Sequence, residues 1–219
     1  MTTWTENPQG GRERGARGLV RAWVELLLRP RRFFENGIAP GDQAPGLVFA
    51  VGVALVYVTT RFALLPSARP TFFAGEVASV AVGLLVVGLV LAPVALHLVA
   101  ALEVVILIAV VRDRAGVSET VQVIGYATAP MALAGVGVPP ALAGVPLLTE
   151  GVAAWRLLLA LWGAILLVYG MATVHDTSLP RAGIAVAVPA LVVFGYLYGG
   201  IFAAETLLGV ELVDTSPAG

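Results

Sequence analysis

Residues 77–111, VASVAVGLLVVGLVLAPVALHLVAALEVVILIAVV, form an apolar run in which the ionisable side chains are His97 and Glu103. A soluble domain cannot bury such a run, whereas a charge-poor stretch of about 18 residues or more suits a helix that crosses a bilayer. Cutting it at Pro93 would leave halves of only about 24 and 27 Å at helical rise. A hairpin there would also leave backbone groups unpaired in hydrocarbon. The run is therefore expected to be one long tilted helix, bent at Pro93.

Four other stretches share this character, at 47–66, 120–138, 152–174 and 183–204. The expected fold is all-α: a polytopic membrane helix bundle of about five transmembrane helices over 47–204, preceded by an amphipathic helix. Composition agrees, with 58% of the 219 residues hydrophobic and 12% charged, against about 25% charged in soluble domains. The net charge of -1 gives no reason to expect nucleic acid. Cysteine is absent, which excludes disulfides, thiolate metal sites and a cysteine nucleophile. Every basic residue is arginine, which points to a GC-rich prokaryotic genome. Residues 1–17 are polar and expected to be disordered in the cytoplasm, without the apolar core of a cleaved signal peptide. Residues 205–219 form an acidic tail.

Between them, residues 18–46 carry an amphipathic segment and a linker. Arg17, Arg21, Glu25 and Arg29 recur every four residues, opposite Leu19, Trp23, Leu26 and Leu27. Pro30 should end or bend this helix. The RRFF that follows sets Arg31 and Arg32 beside Phe33 and Phe34, a pairing suited to a headgroup interface. Arg21, Trp23, Arg29, Arg31, Arg32 and Phe33 are the expected contacts with lipid or a protein partner. Packing of the same helix on the protein's own cytoplasmic face is the plainer reading, and the two can coexist.

Prolines break the third span. Pro130 falls in its middle, and Pro139–Pro140 stop it. Gly125, Gly135, Ala127, Ala129, Ala132 and Ala134 allow close neighbours that satisfy the freed backbone groups. Span three is therefore expected at the bundle centre. Arginines favour one side: Arg12, Arg14, Arg17, Arg21, Arg29, Arg31 and Arg32 precede span one, Arg112 and Arg114 follow span two, and Arg181 follows span four. Arg61, Arg69 and Arg156 lie on the other side. The positive-inside rule puts the N-terminus in the cytoplasm, and five crossings put the C-terminus outside.

His97 and Glu103 are the intramembrane polar candidates, although six positions separate them on different helical faces. His175 and Asp176 open the turn after span four, with Asp176 or Ser178 as a cap for the next helix. Two histidines at different depths do not make a zinc or haem site; no metal and no cofactor are expected. Gly195 and Gly199 form a GxxxG that can serve homo-oligomer contact or packing within the chain. Walker, Rossmann, HExxH and GxSxG patterns are absent, so no catalytic residues and no enzyme are expected.

The stretch RDRAGVSETVQVIGYATAPMALAGVGVPP resembles the most recognisable part of the Yip1 domain family, in its prokaryotic branch. Gly125, Tyr126, Pro130 and Pro139 are the matching positions. Pro30 within LLLRPRRFF resembles the family's leading pattern. WRLLLALWGAILLVYGMATVHDTSLPRA resembles the segment that follows. The turn departs from the family's Gly-Gly pair, having DRAG instead. The resemblance implies a five-span protein. Eukaryotic relatives engage Rab-type GTPases in the early secretory pathway, a partner that is not carried over to a prokaryotic chain.

The expected role is a non-enzymatic component of the plasma membrane that organises it or contacts lipid or protein. The alternative is a small transporter or ion- or proton-conducting unit, motivated by Pro93, Pro130, Pro189, His97 and Glu103.

Overall fold

A computed structural model describes residues 15–111 and 114–212. The expectations for residues 1–14, for Arg112 and for the last part of the tail lie outside these residues. Helix α1 (Ala16–Leu28) ends two positions before Pro30, which occupies the first turn of α2 (Pro30–Asn36). The missing N–H of proline costs nothing at that position. Helix α3 (Ala44–Leu64) follows a short linker.

The long run folds as α4 (Glu76–Val86), a π-helical turn over Val87–Leu91, and α5 (Ala92–Val110), continuous along one path. Pro93 has no N–H to offer the preceding turn. The chain widens there instead, and the Ala92 N–H bonds back to the Val87 carbonyl. The same device recurs after Pro189. Helix α8 (Leu179–Ala190) passes into π turns over Leu191–Leu197 and stops at Gly199, whose φ of +76° favours glycine. Helix α9 (Gly200–Leu208) starts afresh. The single helix expected over 183–204 is thus two pieces. Helix α7 (Pro146–Val174) is unbroken, about 43 Å long at helical rise.

Among the described residues, four helices are long and apolar enough to cross a membrane: Ala44–Leu64, Glu76–Val110, Pro146–Val174 and Leu179–Leu197. The segment expected as a helix over 120–138 differs from them. It is α6 (Val117–Ala127), then a 3-10 turn over Ala129–Leu133, then irregular chain to a second 3-10 turn at Pro140–Leu142. Pro130 cannot supply the next helical N–H, so the backbone tightens: Met131 N–H bonds to the Thr128 carbonyl and Ala134 N–H to the Met131 carbonyl. A proline kink within one helix was expected; the helix ends instead.

This broken segment nevertheless runs the length of α3. A Cβ on Gly125 would strike the Gly46 carbonyl at the start of α3, one on Gly135 the Tyr57 carbonyl, and one on Gly137 the Leu65 side chain at the end of α3. Residues 120–131 are all buried, so the segment sits at the bundle centre. There, non-helical backbone can be satisfied by protein rather than left in lipid. Trp23 Nε1 donates to the Ala129 carbonyl at 2.8 Å, and Trp155 Nε1 to the Leu133 carbonyl at 3.1 Å. The Thr128 hydroxyl donates to the Gly125 carbonyl at 2.7 Å.

Candidate functional site

The arginine-rich leader, α1 and α2, is held by its apolar side. Ala22, Leu26, Phe33 and Phe34 are buried. The Phe33 ring meets Tyr126 edge-on at 4.8 Å, and Tyr126 in turn meets Phe49 at 5.1 Å. Gly170 of α7 leaves room for the Phe34 ring, 2.8 Å from where a Cβ would stand. Trp23 is tied to the Ala129 carbonyl. Phe33 and Trp23, expected to contact lipid or a protein partner, are therefore anchors that fix the leader to the bundle, in line with the plainer reading of this helix. Amphipathic spacing identifies an apolar face but not what covers it.

The other side of the leader is exposed. Arg21, Arg29, Arg31 and Arg32 all lie there, with Val20, Val24 and Leu28. Arg31 pairs with Glu35 at 3.0 Å on the open surface, a contact worth little. Arg29 and Arg32 have no acidic partner among the described residues. Both line a groove of about 610 Å³ together with Leu28 and, from α7, Trp162, Ile165 and Tyr169. One wall, with Arg29, Arg31 and Arg32 against Glu35, is net cationic, and the other is an aromatic and aliphatic stripe.

A polar network closes the same end of the bundle. The Gln122 side chain clamps the linker, its Oε1 accepting from Ala39 N–H at 2.9 Å and its Nε2 donating to the Ala39 carbonyl at 2.7 Å. Glu119 accepts from Gly41 N–H at 3.1 Å. His175, buried at the end of α7, accepts from Ala115 N–H at Nδ1 (3.1 Å). Its proton therefore sits on Nε2, which lies 3.3 Å from the Thr120 hydroxyl, itself a donor to the Gly116 carbonyl. With both imidazole nitrogens so engaged, His175 cannot act as a base toward Thr120. Burial lowers its pKa, Glu119 opposes this and Arg114 adds to it. Sequence reading named neither Gln122 nor this role for His175. A lone glutamine inside an apolar span was the available signal, since such a group demands a partner.

His97 and Glu103 do not meet. His97 faces outward, its Nδ1 2.7 Å from the Pro93 carbonyl one turn back. Glu103 is fully buried, and neither carboxyl oxygen has a hydrogen-bond partner among the described residues. Asp176 adopts a positive φ of 45° in the turn, and Ser178 takes the N-cap position of α8 without a side-chain cap bond. Gly195 and Gly199 lie against their own chain, beside Ile201 and Arg156 respectively. No group of three or more histidine, cysteine or acidic side chains that could hold a metal ion occurs among the described residues.

The motif positions are all structural joints. Pro30 starts α2, Gly125 permits the approach to α3, Tyr126 stacks on Phe33, Pro130 enforces the 3-10 turn and Pro139 precedes the next one. No curated protein matches the chain, and no solved structure does. The family model of the Yip1 domain matches residues 24–201, a range that takes in all these joints and every helix long enough to cross a membrane. The chain is an integral membrane protein and belongs to the Yip1 domain family.

Proposed function

We propose that this protein is a non-enzymatic membrane-organising component whose clamped leader holds anionic phospholipid at the cytoplasmic face. The observation that carries the reading is the groove between the leader and α7. Arg29 and Arg32 supply cationic charge with no ion-pair partner among the described residues, because Glu35, the one carboxylate among the described lining residues, pairs with Arg31. Trp162 to Tyr169 on α7 supply an apolar wall about 10 Å long by helix rise, which fits within a leaflet's hydrocarbon of about 15 Å. A headgroup phosphate on the arginines and an acyl chain along α7 would fill both walls, and basic pockets beside membrane helices favour such lipids.

The topology that accompanies this reading has five crossings, with residues 117–137 as the third. The N-terminus is then cytoplasmic, the C-terminus outside, and the membrane is the plasma membrane of a prokaryote. Support comes from the path of that segment alongside α3 and from the gathering of arginines toward the leader end.

The test uses the full chain, because an isolated leader would expose Phe33 and bind vesicles by its core face. A photo-crosslinking residue at Leu28 is activated in native membranes. The proposal predicts a phospholipid adduct that falls by about tenfold when Arg29 and Arg32 become Gln, the loss of roughly one charge-assisted contact. A protein adduct, or a lipid adduct unchanged in the variant, contradicts it.

One observation favours a second reading, a proton- or cation-conducting unit: the unpartnered Glu103 carboxyl within α5. Proton flux into liposomes that is the same for wild type and Glu103→Gln sets that reading aside.

A further inference from the structure

Two arginines converge at the end of the bundle opposite the polar network. Arg61 of α3 and Arg156 of α7 both line a cavity of about 380 Å³, walled by Tyr57, Phe62, Tyr196 and Phe202. The cavity is built rather than incidental. The break between α8 and α9 frees the Tyr198 carbonyl, which accepts from Arg156 Nη2 and from the Tyr57 hydroxyl, each at 3.2 Å. The Arg61 guanidinium stands over the Tyr57 ring, 5.7 Å from its centroid. Gly199 has a φ of +76°, which favours glycine, and its lack of a side chain lets the Arg156 guanidinium lie against it.

No acidic side chain lines this cavity. Of the carboxylates at this end, Glu76 pairs with Arg69, Glu205 accepts from Leu212 N–H, and Glu150 and Glu211 are exposed and outside the lining. Arg156 Nε is buried with no acceptor among the described residues. Two half-buried cations sharing one low-dielectric cavity repel each other and lack compensation. An anion with several acceptor oxygens relieves both deficits, and guanidinium forks match phosphate geometry. The depth fits as well, since Arg61 stands three residues before the end of α3, about 4.5 Å along the helix, which is headgroup level. Aromatic side chains such as Tyr57 and Tyr196 are characteristic of that level.

We propose that Arg61 and Arg156 form a phosphate-binding site on the side of the bundle away from the polar network, occupied by a phospholipid headgroup or by free orthophosphate. The site does not depend on the leader groove.

The experiment uses the full chain purified in detergent, as wild type, Arg61→Gln, Arg156→Gln and the control Arg181→Gln, an exposed arginine at the start of α8 that touches no residue of the cavity lining. Retention of added phosphatidylglycerol is read by native mass spectrometry. Thermal unfolding is read in sodium phosphate against sodium chloride of equal ionic strength. The site predicts that one of these readouts separates the cavity variants from wild type and from Arg181→Gln by about tenfold in apparent affinity, as expected for one charge-assisted bond. Loss of lipid retention identifies the headgroup as the ligand. Loss of a phosphate-dependent rise in melting temperature identifies orthophosphate. Should Arg156→Gln fail to fold, Arg61→Gln carries the test, because Arg61 is half-buried and its contact with the Tyr57 ring is worth only about 0.5–1 kcal/mol. Wild-type behaviour of Arg61→Gln in both readouts overturns the site.

Discussion

Trp23 and Ala129 stand 106 positions apart in the chain and are joined by one hydrogen bond, indole N–H to carbonyl, at 2.8 Å. Pro130 ends the central helix, and the carbonyl beside it needs a donor that neither the helix nor lipid can supply. The leader supplies it. Substituting Trp23→Phe keeps the ring packing and removes the donor. The cost expected for an unsatisfied buried carbonyl is about 1–3 kcal/mol. Thermal unfolding in detergent should show the loss, and limited proteolysis should cut the leader sooner in the variant. Unchanged melting and cleavage would mean the bond is dispensable.

The approach of α6 to α3 depends on Gly125 facing Gly46. Gly125→Ala places a methyl group against the Gly46 carbonyl, and overpacking of this kind costs about 1–3 kcal/mol. Gly183→Ala meets open space and is expected to be neutral or slightly stabilising in its helix. Equal melting temperatures for the two variants would refute the close approach.

His175 gives the fold a pH dependence of known sign. Its folded pKa lies below the ordinary 6.5, so the unfolded chain takes up a proton more readily than the folded one. The contribution is fully present above about pH 6.5 and is lost as pH falls through that value toward the folded pKa. Protonation would put a hydrogen on Nδ1, opposite the Ala115 N–H. Melting temperature between pH 7.5 and 5 should fall more steeply in wild type than in His175→Gln. Parallel profiles would exclude His175 as the titrating group.

Much of this architecture was legible in the chain itself. The apolar runs locate α3, α4–α5 and α7 because hydrocarbon admits few alternatives to a helix of that length. Pro30 and Pro93 mark real discontinuities because a missing N–H acts locally. Residues 120–138 were harder. Their small residues announce close packing, but whether Pro130 bends or ends a helix depends on distant donors such as Trp23 and Trp155. Phe33 illustrates the same gap at the site. An aromatic beside arginines suits a lipid surface and an internal socket equally, and only Tyr126 decides. The Arg61–Arg156 cavity was invisible for a related reason, since a helix break near Gly199 brings the two side chains to one cavity.

Glu103 is a stability liability. Replacing the unpartnered carboxyl by the similarly sized Glu103→Leu should raise stability by about 1–3 kcal/mol, the cost of an unsatisfied buried polar group. A fall in melting temperature would reveal that the carboxyl is engaged by a group bound in the membrane.

In the proposed topology, residues 117–137 carry the chain across the bilayer as a broken segment beside α3. The chain has no cysteine, so single cysteines report without background. Val117→Cys and Ala143→Cys, both at exposed positions, are treated with a membrane-impermeant maleimide in right-side-out and inverted vesicles. Labelling of Val117→Cys in inverted vesicles alone, and of Ala143→Cys in right-side-out vesicles alone, is the predicted result. Labelling of both positions from the same side would contradict the crossing.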